Sequence, residues 1–209
     1  MQSRNKDRPF VVGICGGSGS GKTYILDLLA IRLGHNACFL SQDHYYKPLA
    51  LQERDDNGQV NFDLPSAIDE SRFVRDLDLL TGGNSITLKE YTFNNPSLPA
   101  RTLQLKPAPL IIVEGLFIFH AEEISKRLSL KVFVESGEAL ALERRLERDS
   151  RERAYTEEMV RYQWKYHVMP AYERYLLPYR DTADVLIRNP GESMPDLQPL
   201  LDLLYEKCT

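Results

Sequence analysis

Short, nearly continuous apolar runs alternate along this chain with segments whose apolar residues recur at three- and four-residue spacing. The runs are FVVGIC (10–15), ACFL (37–40), PLIIVEGL (109–116), LKVFVE (130–135) and ADVLI (183–187). Runs this short and this rich in β-branched residues predict strands buried on both faces, as in a parallel sheet. The helical spacing predicts helices over 22–34, 66–80, 121–128, 138–150, 156–175 and 195–207. Their alternation predicts an α/β fold, a mostly parallel central sheet with helices on both faces. Two polar, turn-rich stretches break the rhythm: 47–64, with DDNG inside it, and TFNNPSLPAR at 92–101. Both read as loops or small hairpins over a site, because long irregular segments in a compact domain are uncommon unless functional. No internal repeat or low-complexity linker divides the chain, so residues 1–209 are expected to form one domain.

Composition narrows the class without changing that picture. The chain is 43% hydrophobic and 27% charged, and none of its apolar stretches approaches the roughly 20 residues a bilayer span needs. The polar start, MQSRNKDRPF, has no export-signal core, which points to the cytoplasm. Cys15, Cys38 and Cys208 are odd in number and lack CxxC spacing, so no disulfide framework is expected. A formal charge of −4 argues against a general nucleic-acid binder. His44, His120 and His167 lack the spacing of a zinc site and read as ordinary packed or surface histidines.

The stretch GGSGSGKT, between the first predicted strand and the first predicted helix, carries the clearest chemistry. Gly16, Gly17, Ser18, Gly19, Ser20, Gly21, Lys22 and Thr23 contain G-x-x-x-x-G-K-[ST] in the strand-loop-helix setting that the motif requires. Glycines let successive backbone N–H groups converge on phosphate oxygens, and the helix adds its positive end. Lys22 is placed to reach the β and γ phosphates and Thr23 to offer a hydroxyl to Mg²⁺. The loop is therefore read as a nucleoside triphosphate cradle for ATP, with GTP as the other donor it would accommodate. Glu114, at the end of LIIVEG, is either a second metal-side carboxylate or a strand-end cap. Asp43, after CFLSQ, is by composition as well suited to accept a hydroxyl proton as to cap a turn. In RRLERDSRER, Arg144 with Arg148 and Glu147 with Arg151 have the spacing of a solvated helix face, yet Arg145 and Arg148 share a side suited to closing over phosphate.

Taken in order, GICGGSGSGKT, LSQDHYYK, NFDLPSAID, YTF, IIVEGLFIF, RRLERDSRER and PAYERYLLP...ADVLI cover nearly the whole chain. In this order and spacing the sequence resembles the uridine-cytidine kinases, within the wider group of phosphoribulokinase and uridine kinase-like P-loop kinases. The resemblance implies a three-layer P-loop NTPase fold with an arginine-rich helical lid. It makes Asp43 the general base toward a nucleoside 5′-hydroxyl and puts Tyr46 in the nucleoside pocket. Asp63 would hydrogen-bond the ribose hydroxyls with Phe62 beside the sugar or base; by composition alone, Asp63 is also a candidate for a turn before Pro65. Tyr91 and Phe93 take the places of aromatics beside the base, where the residues by themselves read as packing. Arg145, Arg148 and Arg153 align with the family's lid arginines, and Gln163 with a pocket glutamine. The family's tendency to assemble points to a homo-oligomer.

Two positions depart from the pattern. Pro96 stands where the family has a base-reading histidine, and Tyr155 replaces the second arginine of the family's ERGR. SQDHYYKP, DDNGQVNFD, LIIVEGLFIF and HVMPAY also resemble nicotinamide riboside kinases. The expected activity is Mg²⁺-dependent transfer of the γ-phosphoryl group of ATP to the 5′-hydroxyl of a ribonucleoside, uridine or cytidine first and nicotinamide riboside as the alternative. A nucleotide-dependent regulatory ATPase is the reading from another class; it would use Asp43 to position water but leaves Asp63 and the aromatics without a role.

Overall fold

The computed structural model describes residues 8–92, 99–153, 155–191 and 196–208. β1 (Phe10–Gly16) leads through the glycine loop into α1 (Lys22–Leu33), and β2 (Ala37–Ser41) follows. The polar stretch after β2 carries short 3-10 turns and a small hairpin closed by the Arg54–Val60 bridge. Next come α2 (Glu70–Thr81), an antiparallel pair β3 (Ile86–Lys89) and β4 (Thr102–Leu105), and β5 (Leu110–Gly115). After α3 (Glu122–Ser125) and β6 (Leu130–Glu135) come α4 (Glu138–Arg153) and α5 (Glu157–Gln163). α6 (Met169–Ala171) sits between two π-helical stretches, β7 (Val185–Arg188) follows, and α7 (Gln198–Cys208) ends the described chain.

Five strands form one parallel sheet in the order β2-β5-β1-β6-β7. Their near-continuous apolar runs have the cause expected from the sequence: alternate residues serve two cores. Val11, Cys15, Ile111, Val113 and Phe133 face Phe73, Leu77 and Ile124, whereas Val12, Ile14, Ile112, Val132 and Val134 face Ile25, Leu29, Leu200 and Leu204. The sheet is thus sandwiched between α2 and α3 on one side and α1 and α7 on the other. Burial on both faces supplies most of the driving force, at roughly 1.5–3 kcal/mol per fully buried large aliphatic or aromatic side chain. The apolar side of the C-terminal segment is a core face: Leu200, Leu201 and Leu204 are buried.

Several boundaries differ from the sequence expectation. The second helix begins at Glu70, not 66, because Asp69 caps it by accepting a 3.0 Å hydrogen bond from the Arg72 amide. The helix expected over 156–175 becomes α5, α6 and π turns at Trp164–Val168 and Tyr172–Leu176. Pro170, in its middle, has no N–H to give. β3 and β4 flank the 92–101 stretch that reads as a loop or small hairpin, but neither is among the predicted strands; both are short and expose every second residue or nearly so.

Candidate active site

The C-terminal ends of β1, β2 and β5 open onto one cleft of about 640 Å³. At its floor the loop between β1 and α1 turns through Gly19 (φ 76°) and Gly21 (φ 96°), conformations that side chains rarely adopt. Both glycines are also closely approached: a Cβ on Gly19 would lie 2.1 Å from the Ala141 carbonyl oxygen, and one on Gly21 2.0 Å from Asn189 Nδ2. α1 starts without a side-chain cap and without an acid in its first turn. Its first N–H groups and positive end are therefore available to an external anion. Lys22 Nζ lies over the loop, donating to the carbonyls of Gly16 at 2.8 Å and Gly17 at 3.1 Å. Ser18, Gly19, Gly21, Lys22 and the exposed Thr23 line the cleft. Gly16, Gly17 and Ser20 complete the loop without lining the cleft in this structure, and Ser20 is buried.

Strand register brings the acids together. Ser41 at the end of β2 sits beside Glu114 of β5. Its hydroxyl donates to Glu114 Oε1 and accepts from the Asp43 amide at 3.1 Å, fixing the short turn that carries Asp43 into the cleft. Burial first, and then the charge of Asp43, push the Glu114 carboxyl up to about 7, against the opposing pull of Lys22 and Ser41. Two crowded carboxylates and a nearby hydroxyl suit a hard cation such as Mg²⁺, which is commonly held by one or two protein oxygens together with substrate phosphates. Among the described residues no group of three or more His, Cys, Asp or Glu side chains could hold a metal by itself, so this donor set fits an ion that arrives with phosphate.

The raised acid has a stability consequence. Between its unfolded value of 4.5 and its folded value of about 7 the native state binds the extra proton, so this contribution is present at low pH and is lost as pH rises. In EDTA, the stability advantage of wild type over Glu114→Gln is expected to shrink by on the order of 1 kcal/mol per pH unit from pH 5 to about pH 7 and to level off by pH 8. Urea titrations of both proteins across that range check it; a difference independent of pH refutes it.

The opposite wall is aromatic and acidic. Tyr46, Phe62 and Asp63 line the cleft. Tyr46 meets Phe62 edge-on at 5.8 Å and packs against Tyr91 at 5.3 Å. Tyr91 is placed behind Tyr46 and does not line the cleft. Phe93, Asn94, Asn95 and Pro96 lie outside the described residues. Asp63 is buried; the local Asx turn is made by Asn61, whose Oδ1 accepts from the Asp63 amide at 2.9 Å, leaving the Asp63 carboxylate to approach Arg145 at 3.7 Å. The hairpin before Asp63 is anchored at its tip. Asp55 Oδ2 accepts from the Tyr162 hydroxyl at 2.7 Å and meets His167 Nε2 at 2.8 Å, while Asp55 Oδ1 accepts from the amides of Asn57 and Gln59.

α4 supplies the cations. Arg144, Arg145, Arg148 and Arg153 all line the cleft, with Tyr155 and Gln163 beside them. Arg145 sits deepest, donating to Ser18 Oγ and to Gln163 Oε1, each at 3.0 Å. Arg144 donates to the Gly19 carbonyl and to Asn189 Oδ1, each at 3.3 Å, tying α4 to the glycine loop. Burial, and next the charge of Arg148, pull the Arg153 guanidinium below its usual value, with Asp149 opposing them. Crowded cations of this kind are poised for a polyanion. Sequence reasoning did not single out Asn189 or Asp149, and it gave Arg144 to a solvated helix face, whereas Arg144 lines the cleft; for Asp149 the i,i+4 spacing with both Arg145 and Arg153 was the available signal.

The family model described as Phosphoribulokinase / Uridine kinase family matches residues 11–194. Among curated proteins, the chain is 35% identical over 198 residues to the uridine kinase of Deinococcus deserti, covering 94% of each. It is 34% identical over 202 residues to uridine-cytidine kinase B of Dictyostelium discoideum, covering 96% of this chain and 83% of that protein. Among solved structures it resembles phosphoribulokinase from Rhodobacter spheroides with a TM-score of 0.64 at 20% identity, covering 88% of this chain and 71% of that one. At that identity the structural likeness speaks for the fold alone.

Proposed function

This chain belongs to the phosphoribulokinase/uridine kinase family, and from that premise we propose that it transfers the γ-phosphoryl group of ATP to the 5′-hydroxyl of a ribonucleoside, uridine or cytidine. One observation carries the reading: a single cleft faces the glycine loop with Asp43 and Asp63. Mg²⁺-ATP, when bound, supplies the phosphoryl group and the cation that offsets its charge. The chain's own residues do the rest by position and charge.

The amides of residues 17–22 and Lys22 hold the donor, while Thr23 and Glu114 face the metal side. Asp43 takes the hydroxyl proton. Asp63 accepts from the vicinal ribose hydroxyls, and Tyr46 and Phe62, backed by Tyr91, flank the nucleoside. Gln163 supports the pocket; Arg145 spans it, and Arg148 and Arg153 face the charge that builds on transfer. Asp43 and Asp63 both line the cleft, and a hydrolytic switch would have no use for the second. No helix among the described residues is long and apolar enough to cross a membrane, in keeping with a cytoplasmic enzyme acting on small molecules.

ADP formation from ATP or GTP is the test, measured with uridine, cytidine, nicotinamide riboside, pantothenate and ribulose 5-phosphate. Uridine or cytidine is expected to raise the rate most. Nicotinamide riboside as the better acceptor would move the assignment to that branch, and a rate indifferent to every acceptor would leave a regulatory ATPase.

A further inference from the structure

Asp149 is fully enclosed and does not line the cleft, yet three arginines turn to it. Its Oδ1 lies 2.8 Å from Arg148 Nε and 3.5 Å from Arg153 Nε, and its Oδ2 lies 3.2 Å from Arg145 Nε. Each contact takes the inner nitrogen of a guanidinium and leaves the two outer ones for other partners. For Arg145 those partners span the site: Nη1 donates to Ser18 Oγ at 3.0 Å and lies 3.7 Å from Asp63 Oδ1, while Nη2 donates to Gln163 Oε1 at 3.0 Å. One buried fork thus touches the donor loop, the acceptor carboxylate and α5 together. A lysine, with a single point charge, cannot do so. Asp149 Oδ2 and Arg145 Nε face each other without a hydrogen bond to any partner, so the pair is held by charge within a packed interior.

We infer that Asp149 is a positioning residue, and that the Arg145 it holds couples the donor half of the cleft to the acceptor half, so that each ligand tightens the binding of the other. The inference rests on the kinase reading above. A triphosphate in the loop would fix Ser18, and through it Arg145 and Asp63. The nucleoside then meets a carboxylate already ordered and loses less entropy on binding. By linkage, the nucleoside strengthens nucleotide binding by the same factor.

The test is calorimetric titration of uridine, or of whichever nucleoside drives ADP formation, with and without Mg²⁺ and the non-hydrolysable analogue AMP-PNP. In wild type the analogue is expected to tighten nucleoside binding about fivefold or more. Asp149→Asn is expected to abolish that factor and to lower kcat by about 10²-fold, with AMP-PNP affinity in the absence of nucleoside nearly unchanged. If Asp149→Asn does not fold, Arg145→Lys, which keeps the charge and loses the fork, is expected to lose the same factor. Wild-type affinities that ignore the second ligand overturn the inference, as does full coupling in the folded variant. ADP formation by the wild type judges the kinase reading separately: an active enzyme without coupling removes this inference alone.

Discussion

Asp43→Asn is expected to lower phosphoryl transfer by about 10²–10⁴-fold while leaving ATP affinity within a few-fold. The substitution keeps the shape of the side chain and removes its ability to take a proton. The backbone that places it is held independently, because the Asp43 amide donates to Ser41 Oγ and the register of β2 on β5 fixes Ser41. Lys22 and the uncapped start of α1 are untouched, so nucleotide binding survives. The change also removes a negative charge beside Glu114, which weakens one of the causes of that residue's raised value. Single-turnover transfer from labelled ATP, paired with an equilibrium titration of the nucleotide, separates the two effects. Transfer at the wild-type rate would strike Asp43 from the mechanism, and loss of both functions together would mark it as a binding residue.

Asp63→Ala is expected to reduce kcat/KM for the ribonucleoside by about 10²–10³-fold, from the loss of two charge-assisted hydrogen bonds at roughly 1.5–3 kcal/mol each, offset by the solvent that fills the gap. The 2′-deoxyribonucleoside, which offers only one of the two hydroxyls, should lose distinctly less. Part of the loss on both substrates comes from Arg145, which lies 3.7 Å from this carboxylate and is itself buried. The ratio of the two losses is therefore the informative quantity. Kinetics of wild type and variant on uridine and 2′-deoxyuridine supply it; equal losses would show that Asp63 supports Arg145 without reading the sugar.

The glycine loop and the parallel strands were legible in the sequence because their constraints are local. A strand buried on both faces must be apolar throughout, and a loop that wraps phosphate must have glycine where φ is positive. At 92–101 the turn residues signal a loop or small hairpin, but the strands β3 and β4 that flank it are not legible, since each has only four residues and few apolar positions. Asp149 escaped notice for another reason. The sequence singles out Arg145 and Arg153 but not the acid between them, since an Asp at i,i+4 from two arginines on a charged helix carries no sign of burial, and only the surrounding tertiary structure encloses it. The sequence reads His167, with His44 and His120, as an ordinary packed or surface histidine; it is a buried one, and its partner Asp55 lies 112 residues away, beyond the reach of any spacing argument. Likewise, the open question about Asp63, sugar contact or turn former, is sharpened by Asn61, which makes the turn itself.

The tip of the hairpin at Asp55 is tied to Tyr162 and His167, while its outgoing strand runs through Val60 directly into Phe62 and Asp63. One wall of the cleft is therefore braced from outside it. On the proposed function, loosening that brace at exposed Asn57, which donates to the Tyr162 hydroxyl at 2.6 Å, would give protein engineers a handle, remote from Asp43 and Asp63, for admitting bulkier nucleoside analogues.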